Sequence, residues 1–305
     1  MTHASLTGLV AATHTPFHAD GSLNLEAVEK QAAHMLANKV TKVFIGGSTG
    51  ESHSLSLAER LVLSQRWFEI ARGTALQVVV HVGSNCLSDA KTLAAQAQQL
   101  GAVAVSALSP SYFKPRSLET LIACAADIAS AAPQTPFYFY DIPPMTNVIF
   151  SMPDFLAQAQ DRIPTLAGIK FSNPDLMAYQ LCLQADSGKW DMPFGCDEFL
   201  LAAIALGATG AVGSSYNFGA PIYHRLIAAF NQGDLATARE EQFRSVRLIQ
   251  LVASYGYMGA AKAVMEMLNI PVGPARLPHN NLTKEQSTEL RSKLDSMGFF
   301  DWVKP

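Results

Sequence analysis

Eight short apolar runs recur along this chain, separated by segments whose apolar residues fall three and four apart, and no other feature narrows the fold as much. The runs are LVAATHTPF (9–17), KVFIGGS (42–48), QVVVHVGS (77–84), AVAVSALSP (102–110), PFYFYDIP (136–143), TLAGIKFS (165–172), DMPFGCDE (191–198) and GATGAVGSS (207–215). Most are rich in Val, Ile, Phe or Tyr and run out into Gly, Ser or Pro, as strands covered on both faces do, so parallel pairing is expected. The segments between them, such as SLAERLVLSQRWFEIAR and SLETLIACAADIASAA, read as helices, and Gly101 in QQLGA stands where one should stop.

Eight such units predict a closed (β/α)8 TIM barrel rather than an open doubly wound sheet, since no Gly-x-Gly-x-x-Gly fingerprint follows the first run. The barrel is expected over residues 1–220. Beyond it, DLATAREEQFRSVRLIQLVASYG, GAAKAVMEML and KEQSTELRSKLDSM keep a helical pattern, so residues 221–305 are expected to form a C-terminal helical extension packed on the barrel.

Composition fits one large core: 49% of the 305 residues are hydrophobic and 15% charged. With a formal net charge of -3 and scattered basic residues, nothing resembles a footprint for nucleic acid or a membrane surface, and a small-molecule partner is favoured. The N-terminus has no basic leader before a long apolar segment, and no run reaches the ~18 residues of a membrane span, so a cytoplasmic protein is expected. Cys86, Cys124, Cys182 and Cys196 match neither a disulfide framework nor a metal spacing and are read as buried apolar filler. No metal or organic cofactor is expected.

In such barrels reacting groups come from the C-terminal ends of strands. Lys170 stands out, because LAGIK puts an amine at the end of an apolar run. An amine kept from water gives up its proton more readily and can then attack a carbonyl; the plainer readings are a side chain reaching the barrel mouth or one half of a salt bridge. Tyr140, on the neighbouring run, could move protons beside that amine or serve only as packing. In FIGGSTGES, Gly46 and Gly47 allow close backbone approach, and Ser48 and Thr49 could donate to a carboxylate, unless the glycines make only a tight turn. A phosphate loop would need Gly-Lys-Ser/Thr, which is missing. Asp197 and Glu198 could bind substrate hydroxyls, or Glu198 could complement the start of a following helix. His14 and His81 are given no role.

GGSTGES, YDIPP followed by GIKFS, and GATGAVGSSYN, in this order, resemble the pyruvate-dependent class I aldolases of the dihydrodipicolinate synthase and N-acetylneuraminate lyase superfamily, over Gly8 to about Pro278. GLVAAT, HVGS, FGCDE, GSSYN and IPVGPARLP look most like the lyase branch. The resemblance implies cleavage of N-acetylneuraminate to pyruvate and N-acetylmannosamine, with Lys170 forming a Schiff base to the C2 carbonyl and Tyr140 taking the proton whose loss drives cleavage. It implies that Ser48 and Thr49 hold the carboxylate, and that Ser172, Gly195, Asp197, Glu198 and Ser214 bind the sugar chain. Tyr112 matches a tyrosine that enters a neighbouring subunit's site in the synthases, and similar proteins are usually tetramers or dimers.

Where the synthases typically carry an arginine for a second carboxylated partner, this chain reads Pro144-Met145-Thr146-Asn147, and Met145 cannot pair with a carboxylate. That favours a sugar acid over aspartate semialdehyde; Asn147 replaces the glycine usual in both branches. The alternatives are another pyruvate-dependent enzyme, either a deoxy sugar acid aldolase or a 4-hydroxy-tetrahydrodipicolinate synthase, and a non-catalytic barrel binding a 2-oxo acid.

Overall fold

A computed structural model describes residues 5–304; residues 1–4 and 305, the outer ends of the two regions expected above, lie outside the described residues. The apolar runs become the strands β1 (Gly8–Ala12), β2 (Lys42–Ile45), β3 (Gln77–His81), β4 (Ala104–Leu108), β5 (Phe137–Asp141), β6 (Leu166–Phe171) and β7 (Gly210–Gly213). All pair in parallel in the order β6-β5-β4-β3-β2-β1-β7.

The uninterrupted apolar runs conceal a period of two. Val10, Phe44, Val79, Ala104, Tyr138 and Val212 form an inner cluster inside the ring. Their alternates Ala11, Val43, Val78, Val105, Phe137 and Ala211 belong to the outer core beneath the helices. Both sides of the sheet are therefore dry, which is why the runs are apolar along most of their length.

The seventh run is the exception. Residues 191–194 form no regular strand but carry isolated parallel bridges to β6 and β7. Asp191 N–H donates to Ala167 O at 3.0 Å, Phe171 N–H to Pro193 O at 3.0 Å, and Phe194 N–H to Gly210 O at 3.0 Å. Pro193 has no N–H to continue a ladder, and the approach is so close that a Cβ on Gly168 would stand 1.7 Å from Asp191 O. Seven strands and this segment close the TIM barrel.

Helices α1 (Ala27–Ala37), α2 (Leu57–Ala71), α3 (Leu87–Leu100), α4 (Leu118–Ala129), the short α5 (Pro143–Thr146), α6 (Met152–Ala159), α7 (Leu176–Gln184) and α8 (Leu200–Ala205) fall between the strands. Ser56 caps α2 in a full capping box, Ser117 caps α4, and Gly101 ends α3 in the left-handed region at φ 83°. After β7 come α9 (Tyr216–Asn231), α10 (Leu235–Ser254), α11 (Tyr257–Met267), α12 (Lys284–Ser296) and α13 (Phe299–Trp302). Arg225 on α9 makes two hydrogen bonds to the buried Glu241 carboxylate on α10, at 2.9 and 3.0 Å, tying these helices together.

The cysteines depart from the expected burial: Cys182 is buried, Cys124 and Cys196 are half-buried, and Cys86 is exposed where the chain turns into α3. Among the described residues, no helix is long and apolar enough to cross a membrane.

Candidate active site

Strand register decides which polar groups meet at the barrel mouth. Tyr140 on β5 is the direct partner of Lys170 on β6. Both face inward, and each is 4% exposed. The Lys170 Nζ lies 3.4 Å from the centroid of the Tyr140 ring and 4.9 Å from that of Phe44, and donates to Ser172 Oγ at 3.1 Å. No carboxylate lies within 4.0 Å of it among the described residues, so neither a solvated side chain nor a salt bridge describes it. Aromatic faces and one hydroxyl replace its water.

The phenol of Tyr140 stands 3.4 Å from Ser48 Oγ. Its ring meets Phe44 and His81 nearly edge-on, at 5.8 and 5.7 Å, which fixes where the hydroxyl points. His81 Nδ1 donates to Gly46 O at 2.8 Å. Burial, reinforced by the Arg60 guanidinium, holds this histidine well below its usual pKa, so the ring is neutral. It braces both the tyrosine and the loop after β2.

In that loop Gly46 has φ +64°, a Cβ on Gly47 would strike the Phe44 ring at 2.5 Å, and one on Gly50 would sit 3.0 Å from Gly46 N. The glycines are therefore required for the turn. The turn leaves the half-buried Ser48 and Thr49 on the wall of a cavity of about 620 Å³, within the usual range for small-ligand sites.

Tyr140, Lys170, Ser172, Gly195, Asp197, Glu198 and Ser214 share that wall. Gly195 has no room for a side chain, since a Cβ would reach within 1.9 Å of Ser172 Oγ. Asp197 serves the fold as well as the cavity: its Oδ2 accepts from Ser215 N–H at 2.9 Å and Ser215 Oγ at 2.5 Å, at the start of α9. Ser214 Oγ lies 2.7 Å from the Tyr257 hydroxyl. Burial pushes the Cys196 thiol up to about 12, which leaves it protonated and unsuited to act as a nucleophile. The tenth candidate stands apart. Tyr112 is 77% exposed on the loop after β4, its N–H bonded to Asn85 Oδ1 at 3.0 Å and its ring packed on Phe113, and it does not line the cavity of its own chain.

A larger hollow of about 770 Å³ opens at the opposite end of the barrel, around Tyr138, Lys189, Trp190 and Asp191. Tyr138 faces inward like Tyr140 but one layer deeper, and its phenol is bound to Asp191 Oδ2 at 2.6 Å. Burial and that carboxylate raise its pKa well above the tyrosine range, so it holds its proton. The buried amine of Lys170 lines the smaller cavity and not the larger one.

Asp197 gives the site a pH signature. Burial raises its pKa from 3.8 to about 6, against the pull of the Ser215 donors, and burial does the same to Asp141. The folded chain thus binds protons that the unfolded chain has released, and stability falls as pH rises from about 4 to about 6. Asp197→Asn removes that share of the slope. Wild type should gain thermal midpoint relative to the variant on going from about pH 7 to about pH 4.5, and a difference that stays constant in thermal melts would refute the assignment.

A model of the dihydrodipicolinate synthetase family matches residues 5–297. The chain belongs to this family. The N-acetylneuraminate lyase of Rattus norvegicus is 38% identical to this chain over 301 residues, which is 97% of this chain and 94% of the relative. The solved N-acetylneuraminate lyases of Proteus mirabilis and Aliivibrio salmonicida both superpose with a TM-score of 0.94, at 38% and 40% identity. The matches cover 97% of this chain in both cases, and 100% and 98% of the solved ones.

For a member of this family, two readings from sequence change. Asn147 ends α5 at φ 50°, in the left-handed region that glycine prefers and asparagine tolerates, so its replacement of glycine answers a backbone demand. The cavity wall also includes Tyr257, Met258, His279 and Asn280. These come from beyond the barrel, where the strand-end rule offers no guide.

Proposed function

We propose that this protein is a class I aldolase that cleaves N-acetylneuraminate to pyruvate and N-acetylmannosamine through a Schiff base on Lys170. The observation that carries the reading is an amine 4% exposed, without a carboxylate partner, beside the Tyr140 phenol and the Ser48 hydroxyl in one cavity. The Lys170 nitrogen adds to the C2 carbonyl of the open-chain substrate and water leaves, giving an iminium. Tyr140 acts as a relay: the C4 hydroxyl proton enters the phenol as the C3–C4 bond breaks, its electron pair moves toward the iminium and N-acetylmannosamine leaves as the aldehyde, while the phenol's own proton passes to C3 of the resulting enamine. Addition of water to the iminium so formed releases pyruvate and restores the amine.

Ser48 and Thr49 are assigned to the carboxylate, and Ser172, Gly195, Asp197, Glu198 and Ser214 to the sugar chain. Nothing beyond these side chains enters the scheme. Tyr112 is assigned to the site of a neighbouring copy, in a homotetramer or dimer in the cytoplasm. Its support is the outward pair of Tyr112 and Phe113, 77% and 86% exposed, an apolar surface that a second copy would cover.

Met145 bears on the rival synthase reading. It lines the same cavity as Lys170 and offers a thioether in place of a guanidinium, so a second carboxylated partner gains no charged contact from it. Wild type should release pyruvate from N-acetylneuraminate in a coupled assay and give no product from pyruvate plus aspartate semialdehyde. Activity with the semialdehyde alone would overturn the assignment.

A further inference from the structure

The site reading leaves two buried charges unused. Glu51 closes the loop that carries Ser48 and Thr49, in the left-handed region at φ 53°, and its side chain is fully buried. Lys262 reaches it from α11 in the C-terminal extension, with Nζ 2.6 Å from Glu51 Oε1 and its own side chain 1% exposed. The ammonium also donates to Thr15 O and Pro274 O, both at 2.9 Å, and lies 4.4 Å from the centroid of the Phe17 ring. The other carboxylate oxygen of Glu51 accepts from Arg276 N–H at 2.8 Å, and Thr15 Oγ1 donates to Gly50 O at 2.6 Å. Every anchor comes from outside the loop.

Such a pair is a poor way to gain stability, because desolvating both charges offsets much of their attraction. It is a good way to fix a backbone, since directed bonds leave the loop one arrangement. The loop has need of this: Glu51 N–H bonds back to Ser48 O at 3.0 Å, and Ser52 N–H to Gly47 O at 3.2 Å, so the position of Glu51 sets that of the hydroxyl pair.

We propose that Lys262, acting through Glu51, is a positioning residue that holds Ser48 and Thr49 in the geometry that grips the carboxylate of the 2-oxo acid. The inference rests on the aldolase reading and extends it, by giving the helical extension a task in substrate binding.

Borohydride trapping of pyruvate at Lys170, titrated with pyruvate and followed by intact mass, tests it alongside thermal melts. Lys262→Met strands the Glu51 charge and is expected to lower the thermal midpoint. Lys262→Met/Glu51→Gln removes both charges and should recover most of that loss. Both variants should need at least about tenfold more pyruvate for half-maximal trapping, while trapping at saturation stays near wild type, since misplacing a binding group weakens the complex and leaves the amine intact. Lys262→Arg, which keeps a compensated pair, should shift half-saturation less than either and provides the comparison should the neutral pair fold poorly. A wild-type half-saturation in the double variant, or a shift in Lys262→Arg as large as in Lys262→Met, would overturn the positioning role alone. Absence of any trapped pyruvate in wild type would instead bring down the Schiff-base reading, and this inference with it.

Discussion

Lys170→Ala is expected to abolish pyruvate release from N-acetylneuraminate, with a loss of at least about 10⁴-fold, on the scale seen when a covalent nucleophile is removed from an enzyme. Among the described residues, no other lysine lines the cavity. Lys262 is the other fully buried lysine, and its Nζ is committed to Glu51 and two backbone carbonyls. Stability should move the other way from activity. The Lys170 amine has no carboxylate partner to leave stranded, and its contacts are two aromatic rings and the Ser172 hydroxyl, so the variant should melt at or above the wild-type temperature. In parallel, borohydride with pyruvate should add the reduced pyruvyl mass to wild type, on the peptide containing Lys170, and none to the variant. A variant that keeps activity within tenfold of wild type, or that still traps pyruvate, would show that the Schiff base forms elsewhere.

Much of this was legible in the sequence because parallel barrels bury both faces of each strand, and burial leaves a compositional trace that survives without an alignment. The eight runs were visible for that reason, and Lys170 was conspicuous because an amine interrupts one of them. The seventh run was readable as an element but not as an irregular one; only the joint effect of Pro193 and of the backbone contact at Gly168 makes it a bridged segment. Tyr138 and Tyr140 look alike in FYFYD, and a difference of one layer in depth gives one a carboxylate lock and the other a cavity.

What stayed hidden was contact over long separations. Tyr257 at Ser214, His279 and Asn280 on the cavity wall, and Lys262 at Glu51 bring the extension onto the barrel mouth. No local spacing announces such contacts, because the residues that meet have unrelated neighbours in the chain. The double use of Asp197, lining the cavity while holding Ser215 at the start of α9, is hidden in the same way.

Tyr140→Phe separates proton transfer from covalent capture. The substitution keeps the ring, and with it the face that lies 3.4 Å from the Lys170 Nζ and the edge contacts with Phe44 and His81. It removes only the hydroxyl and its 3.4 Å contact with Ser48 Oγ. If the phenol is the group that takes the C4 proton, turnover of N-acetylneuraminate should fall by about 10² to 10⁴-fold, the usual contribution of a positioned acid or base. Pyruvate trapping by borohydride should persist, because the amine and its aromatic surroundings are intact. The half-saturation for pyruvate should rise little, since Ser48 and Thr49 remain. The split matters more than the size of the loss: a phenol needed only for packing would leave turnover nearly unchanged, and one needed to form the Schiff base would abolish trapping together with turnover. Variants of the neighbouring Ser48 should show the opposite pattern, a raised half-saturation with trapping at saturation preserved, because a hydroxyl that holds the carboxylate acts before any bond is broken.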